Sequence, residues 1–262
     1  MRRTERELLE LVLLKIANSC DLLPEENLTA FSGLRGNKSN DTLMIIGRAV
    51  NGWTNDWLPA ELKDQSRRTE ILTDLFETNA GRTVGSGCPM NWVSEQWQAA
   101  EGYNTKRSPF WRSTRMLLTR LDISDEGAPD WPSSLEWTNL YKVAPSNGGN
   151  PSSRLCSVQH SLCRELLQLE IRNSKARRIL FLTGLDWAYP FLPRLSNVVF
   201  ADSFDKYVAL RGDVRFDAEA PLSLVVASHP QGKRESLWVD QVANAFVAQA
   251  ALDAQKENDW VP

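Results

Sequence analysis

Cysteine and histidine are scarce in this chain, and cationic charge does not predominate. The 262 residues hold four cysteines, Cys20, Cys88, Cys156 and Cys163, scattered and without a C-x-x-C pair. They read as free thiols of a reducing cytosol, so the expected location is cytoplasmic. Two histidines are present, His160 and His229, so any imidazole chemistry falls on one of two positions. His160 sits inside an expected helix and reads as structural. A formal charge of −3 gives no overall attraction to nucleic acid or to an anionic membrane, so a nucleic-acid role needs a local basic patch. No apolar stretch approaches the roughly 18 residues of a membrane span. The first residues are expected to form a packed helix rather than an export signal, because Glu5, Glu7, Glu10 and Lys15 interrupt the apolar stretch. There is no internal repeat and no low-complexity tract.

The remaining composition, 42% hydrophobic and 24% charged, is that of an ordinary globular protein with a sizeable core. Leu8, Leu9, Val12, Leu13 and Ile16 recur at helical spacing, which predicts a packed amphipathic helix over residues 3–20. Apolar runs at 43–46, 137–143, 179–182 and 222–227 read as strands. Segments 62–79, 110–121, 153–173 and 235–256 read as helices. Residues 198–216 suggest an edge hairpin turning near Gly212, and 80–108 a long irregular stretch within an insertion around 52–107. Strands alternating with helices predict an α/β fold with a mostly parallel sheet. No linker divides the chain, so a single domain over 1–262 is expected.

In an open parallel sheet, ligands sit beyond the carboxyl ends of the strands. The first run continues as Gly47-Arg48-Ala49-Val50-Asn51-Gly52-Trp53, and the second carries Asn139 and leads to Lys142 and "APSNGGNP". The fourth opens into "SHPQGKRES" with His229. Two amides and a histidine are thereby expected to converge on one cleft. Alternatives remain for each: Asn51 favouring a turn before Gly52, Asn139 satisfying a neighbouring strand, His229 packing under the last helix.

These stretches together resemble the uracil-DNA glycosylase superfamily. "IIGRAVNG" is similar to its first motif, G-x-[DNA]-P-[YGS]; "SPFWRSTRMLL" to the segment bearing the base-stacking phenylalanine; and "WTNLYKVAPSNGGNP" to its "TN-x-x-K-x-x-P" stretch. "ILFLTGLDWA" resembles the third strand with its "LG-x-x-A", and "VVASHPQG" the final "HPS" motif. The resemblance covers residues 40–235 and implies a three-layer α/β/α fold around a central four-stranded sheet. It also implies a monomeric DNA glycosylase working on double-stranded DNA with a flipped base, or on single-stranded DNA, without metal or other cofactor.

By this resemblance His229 and Asn51 are the catalytic residues, while Gly47, Arg48, Ala49, Trp53, Phe110 and Asn139 line the base. Phe110 stacks on the extruded pyrimidine, Asn139 reads its edge, and His229 stabilises the departing base at O2. Arg112, Lys142, Lys233 and Arg234 are expected on the DNA backbone. The departures are informative. Val50 replaces the usual proline, Ala49 stands where some members position water with Asp or Asn, and Val143 lies where iron-sulfur members have a cysteine. Asn51 replaces the tyrosine that walls off pyrimidine C5 in strict uracil enzymes. That change, with Trp53, Trp57, Trp92 and Trp97 nearby in sequence, suggests a bulky C5-modified pyrimidine such as glucosylated hydroxymethylcytosine in phage DNA. Superfamily members that act as antiphage glycosylases have this activity. The alternatives are uracil or mismatch repair, a non-catalytic sensor of modified DNA, and a nucleoside hydrolase.

Overall fold

The structure, a computed structural model, describes residues 3–22, 27–38, 42–52, 56–78, 87–192, 205–216 and 221–258. Along the chain run α1 (Glu5–Ala17), β1 (Leu28–Ala30), β2 (Leu34–Arg35), β3 (Leu43–Gly47), α2 (Gln65–Thr73), α3 (Trp92–Glu95) and α4 (Pro109–Arg120). Then follow β4 (Leu135–Asn139), β5 (Val143–Pro145), α5 (Ser153–Arg172), β6 (Arg178–Phe181), α6 (Leu185–Ala188), β7 (Val208–Val214), β8 (Leu222–Ala227) and α7 (Glu235–Asn258).

Two compact units form, each from several segments of chain: Met1–Leu34, Gly47–Arg82 and Trp137–Ser174 in one, Arg35–Ile46, Thr83–Glu136 and Lys175–Pro262 in the other. The large sheet has strand order β2-β4-β3-β6-β8-β7, and β6, β8, β7 and β3 up to Ile46 belong to the second unit. β3, β6 and β8 are parallel and in register, Ile45 beside Leu180 and Leu180 beside Val225. Apart from Leu222 at the start of β8, their apolar side chains are buried, as expected of interior strands covered on both faces. Ile46, Phe181 and Val226 lie in one row. β7 closes the far side antiparallel to β8. α4, begun by Pro109 at its first turn, packs against α7, which lies on β7 and β8.

The first unit is mainly helical. Thr4 and Glu7 form a reciprocal capping box at the start of α1. The buried face of α1, with Leu9, Leu13 and Ile16, packs on α5. β1 and β5 form a two-stranded antiparallel sheet, Thr29 opposite Ala144.

The α/β class, the mostly parallel sheet and the long helices agree with the expectations from sequence. Three details differ. The sheet has six strands, not four: β2 is two residues long and β7, "VALRGDV", is a mostly buried edge strand interrupted by Arg211 and Asp213, so neither forms an apolar run. Gly212 is not a turn: it pairs with Leu224 inside β7, while residues 198–204 of the expected hairpin lie outside the described residues. The expected 137–143 strand is two strands. β4 stops at Asn139, and the backbone N–H groups of Lys142 and Val143 both donate to Oε1 of Gln159 on α5, at 3.1 and 3.0 Å. That carboxamide draws the chain out of the large sheet and into β5. Within the expected insertion, the described residues are largely helical, with α2 running into a π turn at Asp74–Thr78.

Candidate active site

In the first unit the site residues gather where the chain leaves β3 and β4. Leu140 N–H donates to the Gly47 carbonyl at 2.9 Å and Tyr141 N–H to that of Arg48 at 3.0 Å. The two strand ends are thereby held side by side. Gly47 is glycine for a steric reason: a Cβ there would lie 2.3 Å from Oδ1 of Asn139. The Asn139 side chain is 1% exposed, and among the described residues its Nδ2 has no hydrogen-bond partner. Such a donor, desolvated and unmet, costs about 1–3 kcal/mol unless a ligand acceptor meets it. Arg48 and Ala49 are half-buried.

Asn51 is exposed and holds a loop. Its Oδ1 accepts from the Gly149 N–H at 2.8 Å, and a Cβ on Gly148 would come within 2.9 Å of the same oxygen. Both glycines have φ of +94°, the left-handed region that favours glycine. One lone pair of Asn51 is thus committed to the "SNGGN" loop, a role that the turn alternative did not foresee. Trp53 lies outside the described residues.

Lys142 is corrected. Expected on the DNA backbone, it is 0% exposed, with Nζ donating to Glu170 Oε2 at 2.7 Å, Thr138 Oγ1 at 2.6 Å and the Asn139 carbonyl at 2.8 Å. All three ammonium donors are satisfied inside the protein, so no phosphate can reach it. Burial pushes the carboxyl of Glu170 above the ordinary glutamate range, while Lys142 and Thr138 pull it back down. Burial also raises the Cys163 thiol to about 12, which leaves it inert. His160 is held below the ordinary imidazole range by burial and by the Arg164 and Lys15 charges.

In the second unit the site residues follow β8. Ser228 N–H donates to the Tyr207 carbonyl at 2.9 Å, and the Trp238 indole donates to the Ser228 carbonyl at 2.8 Å. These bonds fix the backbone just ahead of His229. Gln231 N–H then donates to His229 Nδ1 at 3.2 Å. An N–H aimed at Nδ1 makes that nitrogen the acceptor and puts the ring proton on Nε2, so the outer nitrogen is a donor in the neutral imidazole. Phe110, at the start of α4, stacks beside the imidazole with ring centroids 6.0 Å apart and planes 29° from parallel. Trp111 backs Phe110 edge-on at 4.8 Å, and Trp92 backs Trp111 at 5.5 Å. Trp92 and Trp57 are buried core residues and cannot serve as sugar platforms.

Among the expected DNA contacts in this unit, Lys233 and Arg234 are exposed, on the loop into α7. Arg112 is engaged by both carboxylate oxygens of Glu235, its Nε donating at 3.1 Å, and by the Lys106 carbonyl at 2.8 Å. A phosphate would have to compete with that carboxylate. Among the described residues, no group of three or more His, Cys, Asp or Glu side chains could hold a metal ion, and no helix is long and apolar enough to cross a membrane. None of the four cysteines forms a disulfide.

The structure therefore brings Gly47 and Asn139 together, Asn51 and Gly149, and Phe110 and His229. Sequence reasoning missed Glu170, Gln159 and Gly149. Replacing Gly47 with alanine is expected to displace the Asn139 carboxamide and to destabilise the protein by about 1–3 kcal/mol, the usual penalty of overpacking. Chemical denaturation of the variant measures it. The chain matches no family model and no curated protein.

Proposed function

We propose that the protein is a DNA glycosylase on a uracil-DNA glycosylase-like three-layer fold. It flips a modified pyrimidine from DNA and hydrolyses its N-glycosidic bond to leave an abasic site. The observation that carries this reading is Asn139. A carboxamide at the carboxyl end of a strand, buried and with its amide donor unmatched, suits the Watson–Crick edge of a pyrimidine, which offers an acceptor next to a donor. Two further features support it. The neutral His229 tautomer presents Nε2–H, the form that stabilises a base leaving with negative charge at O2. Phe110, backed edge-on by Trp111 and beside the His229 imidazole, is a flat apolar ring of the kind that stacks on an extruded base.

The preferred substrate in this reading is a C5-substituted cytosine, glucosylated hydroxymethylcytosine of phage DNA, and the role is antiviral defence. Asn51 stands where strict uracil enzymes have an excluding tyrosine, and it is small, polar and exposed. Alkali-induced strand breaks, counted after incubation with glucosylated phage DNA and with uracil-containing DNA, test the assignment. Breaks in the glucosylated DNA are expected to predominate. Breaks confined to uracil DNA assign the protein to base-excision repair.

One observation favours a second reading, a sensor that flips and binds a modified base without cutting it. The Asn51 carbonyl oxygen that would orient water already accepts from Gly149. A sensor binds the modified duplex tightly and leaves no alkali-labile sites.

A further inference from the structure

Lys142 and Glu170 form an ion pair whose side chains are 0% and 2% exposed. Stability alone does not explain it, because a buried ion pair replaced by apolar residues of similar volume is often as stable or more so. Its bonds are concentrated on one stretch of backbone. The Lys142 ammonium donates to the Asn139 carbonyl and to the Thr138 hydroxyl, and that hydroxyl donates in turn to Glu170 Oε2 at 3.0 Å. Lysine, threonine and glutamate thus close a triangle under the last two residues of β4. Gln159 adds a second fixture. Its Oε1 accepts from Lys142 and Val143 N–H, and its Nε2 donates to the Val143 carbonyl at 2.7 Å. Asn139 is therefore held at its carbonyl and at the residues that follow it, while its own amide donor is left unmet. On the other side the carboxamide oxygen lies where a Cβ at position 47 would be, so only glycine makes room for it.

We propose that the Lys142–Glu170 pair, relayed by Thr138, is a positioning device. It fixes the strand-end conformation of Asn139 so that the carboxamide meets the substrate base in one orientation. The inference rests on the reading of Asn139 as the base-recognising residue. Asparagine can present its oxygen and nitrogen in either order, and a cytosine and a uracil edge require opposite orders. A backbone locked from below fixes where and in which plane the carboxamide is offered, so that only the turn about Cβ–Cγ is left to set the order.

The test uses the full chain with Lys142→Met/Glu170→Leu, which removes both charges together, and with Thr138→Val, which leaves the ion pair and deletes the relay. Two readouts are taken: the excision rate on modified and on uracil DNA, and the 15N–1H resonances of the Asn139 carboxamide, assigned through Asn139→Asp. Both variants are expected to melt cooperatively and to bind duplex with unchanged KM. In each, kcat falls by about tenfold to a hundredfold, the scale of a misplaced contact near the reacting centre. Discrimination between the two bases narrows, and the Asn139 resonances shift and broaden. Wild-type rates, wild-type discrimination and unmoved Asn139 resonances in the variants overturn the proposal. Should the double variant fail to fold, Thr138→Val gives the same readouts. If the wild-type protein excises no base at all, the glycosylase reading is what fails, and the carboxamide resonances alone decide whether the pair positions Asn139.

Discussion

Replacing His229 with alanine is expected to lower abasic-site formation by about 10²–10⁴-fold, the range for loss of a positioned acid or hydrogen-bond donor at a leaving group. The fold is expected to survive. His229 is half-buried and accepts from the Gln231 N–H, in a loop whose anchors Ser228 to Tyr207 and Trp238 to Ser228 do not involve the imidazole. The loss of stability should therefore stay within the roughly 0.5–1.5 kcal/mol of a single hydrogen bond. Glutamine restores a donor near the Nε2 position without a titrating ring, so His229→Gln is expected to lie between the two. Timed alkaline cleavage with purified variants measures all three. An alanine variant with full turnover removes His229 from the mechanism.

The second large effect concerns stability. Lys142→Met alone leaves the Glu170 carboxyl 2% exposed without its cation, and the expected loss is about 3–5 kcal/mol near neutral pH. The double replacement Lys142→Met/Glu170→Leu is expected to recover most of it. The pH dependence has a definite sign. Burial already holds the folded-state pKa of Glu170 above its ordinary value, and removing Lys142 raises it further. Between the ordinary and the raised value, the folded state binds a proton that the unfolded state does not, so stability falls as pH rises through that window. The Lys142→Met defect is thus largest at neutral pH and shrinks as pH drops toward the ordinary glutamate range. Urea unfolding at pH 5 and pH 7.5 measures the difference; an equal deficit at both contradicts the account of Glu170.

The sheet was legible wherever strands are buried on both faces, because such strands are continuous apolar runs; "LMII", "ILFL" and "LSLVVA" stand out. Edge strands were not, since β2 is too short for any pattern and β7 carries Arg211 and Asp213. The break at Asn139 was hidden because the residues beyond it, "LYKV", keep a strand-like composition, and a side chain on a distant helix ends the strand. The helix itself carried a signal. Leu155, Gln159, Cys163, Leu166 and Glu170 recur at intervals of three and four and are all buried. A glutamine and a glutamate on the apolar stripe of an amphipathic helix announce buried polar partners. What they bond to, Lys142 and the backbone at 142–143, lies 16–28 residues away and has no local trace in sequence. For the candidate site, residue types were readable but commitments were not. Lys142 looked like a phosphate ligand and is an internal clamp. Asn51 looked like a free amide and holds Gly149.

Mass spectrometry of the small molecules released from glucosylated phage DNA tests the central claim most directly. The wild-type protein is expected to liberate the intact modified base, while His229→Ala and Asn139→Ala liberate almost none. No free base from any modified or uracil-containing DNA, or equal release by all three proteins, would contradict it.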